Sequence, residues 1–165
     1  MKSITYVIRV SLLLLLTTLA GCVLPGSIAP DTTTADELVK KLGKPDDVRP
    51  NPNGGENWDY TFGPEGFFSW RYTVDGKRVV RKVEQLLTDE RLFQVIPGVS
   101  READVIEALG PPRVKLRLPY EIAWEWRVQL RPTPGLYIIT FGYDGLVRSR
   151  GIIMDESRSG DFSAQ

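Results

Sequence analysis

The chain has 165 residues, with 21 basic and 21 acidic side chains and a formal net charge of zero. That balance excludes the concentrated basic footprint on which nucleic-acid binding relies. With no histidine and a single cysteine, Ser/His/Asp and Cys/His nucleophilic sites and the usual zinc ligand sets are excluded as well.

Lys2 and Arg9 lead into an apolar run over residues 10–19, which ends in Ala20-Gly21-Cys22. A positive start, a short apolar stretch and a small-residue cleavage site are the layout of a secretory signal. About ten helical residues rise only about 15 Å, half the hydrocarbon thickness, so this is not a transmembrane span. Leu19-Ala20-Gly21-Cys22 resembles the lipobox of bacterial lipoprotein signals. That resemblance implies recognition of Leu19, Ala20 and Gly21 by the signal peptidase, removal of residues 1–21, and lipid attachment at Cys22. Two or three acyl chains make such anchoring effectively permanent. Val23 rather than Asp follows the cysteine, and by the usual lipoprotein sorting pattern this implies the periplasmic face of the outer membrane. No cofactor is expected beyond the covalent lipid. Because the only cysteine is consumed by it, stability must come from ordinary packing rather than disulfides.

Residues 22–31 contain Pro25, Gly26 and Pro30 without periodicity and read as a flexible tether. An internal repeat follows. Leu38–Pro45 is echoed about 67 residues later by Val105–Pro112, Asn57–Tyr60 by Ala123–Trp126, and Tyr72–Gly76 by Phe141–Gly145. The expected units are residues 32–87 and 88–156, with residues 157–165 a small, polar and disordered tail.

Each unit opens with a helix. Thr34 and Glu37 have capping-box spacing, and Gly43 and Pro45 end the helix after Leu42. Thr88 starts a short helix from about Asp89 to Phe93, and Ser100 is the expected cap of the next helix, which ends at Gly110. Strands come next. Trp58, Tyr60 and Phe62 alternate with polar residues, as do Ile122, Trp124, Trp126, Val128 and Leu130. The second strands place Phe68, Trp70, Tyr72 and Val74 against Tyr137, Ile139, Phe141 and Tyr143 in the repeat, and Asp75-Gly76 and Asp144-Gly145 read as type I′ hairpin turns. Third strands over about 78–86 and 146–154 carry Arg81, Lys82, Arg148 and Arg150, charges suited to exposed edges. The expectation is α+β: two tandem repeats, each one or two short helices packed on a three-stranded antiparallel meander.

Candidate chemistry is sparse. Asn53-Gly54-Gly55 lacks the Lys-Ser/Thr continuation of a phosphate loop, and Asp46-Asp47 reads as a solvated pair. Asp59 and Glu125 alternate away from the aromatic face, which points them to solvent, where nothing tunes a carboxylate for acid–base work. Phe67, Leu92, Phe93 and Tyr120 have no obvious core place. Together with Arg117 and Leu118, Phe67 and Tyr120 form the candidate partner surface. Arg131–Gly135 is a second loop of interest.

The lipobox, Leu-Gly-x-Pro after a capped helix, the aromatic-x-aromatic strand and the Asp-Gly turn resemble the SmpA/OmlA (BamE-like) family of outer-membrane lipoproteins. The segment Val95-Ile96-Pro97-Gly98-Val99-Ser100 is similar to that family's entry into its helix, and the second repeat fits best. A tandem pair of such units is also similar to the β-lactamase inhibitor proteins. The resemblance implies a non-catalytic outer-membrane lipoprotein that acts as a protein-binding scaffold in or near β-barrel assembly, with barrel-assembly components as partners and no metal or small-molecule substrate. The alternative it implies is an inhibitor of a periplasmic enzyme.

Overall fold

The computed structural model describes residues 27–63, 66–129 and 134–154. The signal segment, Cys22 and the tail over 157–165 lie outside the described residues, as does most of the Arg131–Gly135 loop. Among the described residues, no helix is long and apolar enough to cross a membrane.

The architecture is α+β, built as two successive units that each run from a helix into four strands, the second with an extra short helix before it. The first contains α1 (Ala35–Leu42), β1 (Asp47–Pro50), β2 (Glu56–Tyr60), β3 (Trp70–Val74) and β4 (Val80–Gln85). The second contains α2 (Asp89–Gln94), α3 (Glu102–Leu109), β5 (Val114–Arg117), β6 (Ile122–Gln129), β7 (Pro134–Phe141) and β8 (Val147–Met154). Each unit has a four-stranded antiparallel sheet in sequential order, β1-β2-β3-β4 and β5-β6-β7-β8. The expected three-stranded meander therefore gains a strand before its first member in both units. β1 and β5 have only four residues each, too few for an alternation such as Val114-Lys115-Leu116-Arg117 to mark a strand, and Pro50 closes the first. Their place comes from pairing with β2 and β6.

The helix starts follow cap chemistry. In α1 the Glu37 N–H donates to Thr34 Oγ1 at 3.3 Å, and the Thr34 N–H donates to Glu37 Oε2 at 2.9 Å. The Thr34 backbone N–H on the Glu37 carboxylate, with the Thr34 side chain in support, lowers the Glu37 pKa. Thr88 caps α2 through the Arg91 N–H, as expected. Ser100 does not cap α3. Its hydroxyl accepts the Ile96 N–H at 2.9 Å, and Arg101 holds the cap position while Asp104 accepts its N–H. The Pro97-Gly98 turn sits between Ile96 and Ser100 and claims the serine side chain first.

Alternation correctly separates the two faces of each sheet. Trp58, Tyr60, Tyr72, Val74 and Val80 pack with Ala35 and Leu38 of α1. Trp124, Trp126, Val128, Tyr137, Ile139, Phe141 and Val147 pack with Val105 and Leu109 of α3 and Leu92 of α2. Each large side chain removed from water in these two cores contributes about 1.5–3 kcal/mol. Matching hydrogen bonds tie sheet to helix end: Tyr60 Oη donates to the Gly43 carbonyl, and Trp126 Nε1 donates to the Gly110 carbonyl. Burial, with help from Asp46, pushes the Tyr60 phenol up to about 12.

Three expectations are corrected here. Ile28 is only 3% exposed and belongs to the first core, and the Asp31 N–H donates to the Val80 carbonyl. The segment read as tether to residue 31 is thus part of the fold from Ile28 onward. The Asp-Gly pairs are not equivalent turns. Trp70, Tyr72 and Val74 align with Tyr137, Ile139 and Phe141 through their pairing to β2 and β6. That alignment sets Arg78 (φ +60°) against Gly145 (φ +75°) as the single left-handed residue of each turn. Each turn is a four-residue bend followed by a bulge, with the Arg78 N–H on the Asp75 carbonyl and the Gly145 N–H on the Gly142 carbonyl. Phe62, Phe68 and Tyr143, expected on the buried stripe, are exposed.

Candidate interaction surfaces

The first sheet has two different faces. Its aromatic face covers α1. Its other face reads, across the strands, Asp47–Asp59–Arg71–Glu84 in one row and Arg49–Asn57–Thr73–Lys82 in the next. Neighbours directly opposite on antiparallel strands lie within side-chain reach, and Arg71 pairs with Asp59 and Thr73 with Asn57 across the strands. Arg71 grips Asp59 with both arms of its guanidinium, Nε to Oδ1 at 2.7 Å and Nη2 to Oδ2 at 2.9 Å. Arg49 adds Nη2 to Oδ2 at 2.7 Å and Nε to Asp47 Oδ2 at 2.6 Å.

This charged face is covered by the second unit. The C-terminal end of α3 rests on it, and Arg71 donates to the carbonyls of Ile106 at 3.0 Å and Glu107 at 2.6 Å. Arg91 donates to the next carbonyl, Ala108, at 3.3 Å. The last carbonyls of a helix lack partners within the helix and carry its negative dipole end. α3 has no basic residue in its last turn, so the guanidinium groups arrive from outside it. The Glu107 side chain completes the joint with Arg71 at 2.9 Å and Arg49 at 3.3 Å.

Asp59 is therefore 0% exposed, where solvent was expected. It does point away from the aromatic stripe, but that side of the sheet is an interface between units. Both of its oxygens are taken by guanidinium groups, so the carboxylate serves the joint. Burial works against the charge of Arg49, yet Asp59 and Asp47 outweigh it and raise the Arg49 pKa. Glu125 occupies the equivalent place in the second sheet and lies near Arg113 at 3.5 Å, partly exposed. Beside the joint, Asn51, Asn57, Arg71, Thr73, Arg81 and Lys82 line an open polar cleft of about 490 Å³. Arg81 is paired with Asp31 and Asp75 and Lys82 with Glu84, so the cleft presents no concentrated charge. Among the described residues, no group of three or more acidic, cysteine or histidine side chains could hold a metal ion.

The expected partner surface is brought together in part. Arg117, at the end of β5, stacks its guanidinium 4.9 Å from the Tyr143 ring, and the Tyr143 hydroxyl donates to the Leu118 carbonyl. Tyr120 stands beyond them at the tip of the β5–β6 hairpin, 90% exposed. Tyr143, Leu116 and Leu118 are exposed alongside it. Phe67 is elsewhere, half-buried beneath Arg127, whose guanidinium carbon lies 4.5 Å from the ring centre. Arg117 pairs with Ile122 at one end of β6, and Arg127 is five residues on, about 17 Å away along a strand.

A second apolar region lies where α2 meets β8. Leu92, Phe93, Tyr137, Ile152 and Met154 line a groove of about 500 Å³. The Leu92 carbonyl at the end of α2 accepts hydrogen bonds from Tyr137 Oη and Arg150 Nη1, both at 2.8 Å, and Arg150 also covers the Phe93 ring. Leu92 is core. Phe93, 68% exposed, and Ile153, 59% exposed, are not. Charges on the third strand were expected to protect this edge, but they end at Arg150 and leave Ile152, Ile153 and Met154 bare.

No family model matches the chain, and no curated protein matches it. Two solved structures are similar to it. One is a DUF4309 family protein (YjgB) from Bacillus subtilis, at 14% identity, covering 78% of this chain and 82% of that one with a TM-score of 0.30. The other is an extracellular protein containing a SCP domain from Bacillus anthracis, at 15% identity, covering 74% of this chain and 43% of that one with a TM-score of 0.25. Likeness at that level carries no argument about activity.

Proposed function

We propose that the chain is a non-catalytic lipoprotein, held through Cys22 on the periplasmic face of the outer membrane, that binds proteins there in or near β-barrel assembly. The observation that carries this reading is the lipobox Leu19-Ala20-Gly21-Cys22 set so close to a folded scaffold. Because Ile28 is already core, the tether from Cys22 is at most about 20 Å long when fully extended. Anchoring at that length confines the domain to a thin layer and raises its effective concentration for weak partners in the same membrane. On this reading the two units are a tandem duplication of the SmpA/OmlA-like helix-and-sheet unit, each with an extra first strand. The hairpin tip with Leu118 and Tyr120 is the partner surface: a large aromatic side chain at 90% exposure is the type of anchor that dominates interface energetics.

Crosslinking the full chain in native membranes, followed by identification of the captured proteins, tests this. The expected capture includes barrel-assembly components, and Leu118→Ala with Tyr120→Ala reduces it about tenfold or more. Capture of no outer-membrane protein contradicts the proposal. Tight binding of a soluble periplasmic hydrolase by the unlipidated chain favours the inhibitor reading instead.

A further inference from the structure

The turn between β1 and β2 forms one wall of the polar cleft beside the joint. Its backbone is closed by the Asn51 N–H on the Gly55 carbonyl at 3.0 Å and the Gly54 N–H on the Asn51 carbonyl at 2.9 Å. Gly55 has φ +78°, and a Cβ there would run into the Val74 carbonyl, so the turn lies tight against the end of β3. A chain of amides then leads inward. The Asn53 N–H donates to Asn51 Oδ1 at 2.8 Å, which turns Asn51 Nδ2 toward Asn57 Oδ1, also at 2.8 Å. Thr73 Oγ1 donates to the same Asn57 oxygen at 3.1 Å. Two donors fix which way the Asn57 amide faces. Asn57 is only 3% exposed, yet among the described residues nothing accepts a hydrogen bond from its Nδ2. Ser69 Oγ and Gln85 Oε1 are unpartnered and sealed from solvent, whereas the Asn57 nitrogen opens on the cleft.

We propose that this cleft binds a neutral glycan carrying an acetamido group, whose carbonyl oxygen accepts the hydrogen bond that Asn57 Nδ2 leaves unmade. A recessed donor needs an acceptor on a short arm, and an acetamido carbonyl reaches further from its ring than a hydroxyl does. The other chemistries fit less well. An anion needs a free cation, and Arg71, Arg81 and Lys82 are each matched with carboxylates. A peptide brings side chains that anchor in apolar or aromatic pockets, and among the described residues only Pro52 lines the cleft with an apolar ring. What remains on the walls is a mixture of donors and acceptors: the Asn53 amide, the Thr73 oxygen and the Glu84 and Glu107 carboxylates. Sugar hydroxyls, which both donate and accept, complement such a mixture. At about 490 Å³ the cleft falls within the size range of small-ligand sites. Because Glu107 of α3 lines it together with β3 and β4, the ligand touches both units and braces the joint. Neither the lipid nor the hairpin tip takes part.

Calorimetric titration of the full chain in detergent with chitotetraose, a neutral chain of N-acetylglucosamine units, tests this. Saturable binding is expected, with cellotetraose, which lacks the acetamido arms, about tenfold weaker. Asn57→Asp keeps an oxygen toward Asn51 and Thr73 and turns the free donor into an acceptor, so it should weaken binding about tenfold or more. Asn53→Ala lies on the exposed rim, where its side chain makes no hydrogen bond to a described residue. It should weaken binding about threefold without changing the melting temperature, and it reads the cleft even if Asn57→Asp does not fold. No saturable binding, equal affinity for cellotetraose, undiminished binding in both variants, or displacement of the sugar by tetra-alanine overturns the proposal.

Discussion

Arg71→Met lowers the stability of the chain by about 3–5 kcal/mol. An exposed ion pair removed the same way costs only about 0.2–1 kcal/mol, so the measurement distinguishes a buried joint from a surface contact. The large value follows from what is left behind. Asp59 is fully buried and keeps only Arg49, while the Ile106 and Glu107 carbonyls at the end of α3 lose their donor. Methionine fills comparable volume, so the loss is electrostatic rather than a cavity. Asp59→Leu combined with Arg71→Met should cost much less than the two single changes added together, because neither charge then remains buried and alone. Urea unfolding of the four proteins checks this. A single-variant loss below about 1 kcal/mol means that the charged face is not the joint described here.

Gly110→Ala is the second large effect, and Gly43→Ala is its internal control. Both glycines follow a helix with positive φ, +73° and +85°. With ψ near 180° both occupy a region open to glycine almost alone, and a Cβ there costs on the order of 1–3 kcal/mol at either place. Around Gly43 an added Cβ meets nothing within 4 Å. At Gly110 it meets Ser69 Oγ at 2.7 Å, Leu86 Cδ1 at 3.1 Å and Asp59 Oδ2 at 3.4 Å. All three atoms belong to the segment before α2, so the clash pushes the two units apart. Overpacking of that kind adds about 1–3 kcal/mol. Gly110→Ala should therefore melt well below Gly43→Ala, and equal melting temperatures would show that the units do not approach closely at this glycine.

What the sequence made legible divides along physical lines. Period-two alternation is a local property, and it placed Trp58, Tyr60, Trp124, Trp126, Tyr137 and Ile139 on the right faces without knowledge of the partner. Thr34 with Glu37 announced α1 because both halves of a capping box lie within four residues. The burial of Asp59 was not legible, because its cover comes from α3 (Glu102–Leu109), far along the chain. The turn register was misread because one of the two left-handed residues is Arg78, and an arginine gives no sign of positive φ; the visible Asp-Gly pairs suggested an alignment two residues off. β1 and β5 are not legible because four residues, with a proline among them in β1, are too short a pattern to mark a strand until the neighbour exists. Among the candidate surface residues, the exposure of Leu118 and Tyr120 was legible because the short connection before the aromatic strand, here the β5–β6 hairpin, leaves them nowhere to pack. Phe67 was assigned to the same surface only because its cover, Arg127, lies on a distant strand.

The scaffold reading rests on the lipid, since two units locked by an ionic joint become a membrane-layer binding protein only if Cys22 holds them there. The mass of the N-terminal peptide from the membrane-associated protein addresses this most directly. The expected result is a chain that begins at Cys22 and carries diacylglycerol on its sulfur, with Cys22→Ser leaving the protein unprocessed and unlipidated. A chain recovered with its first residues intact, or with a free thiol at Cys22, would contradict it.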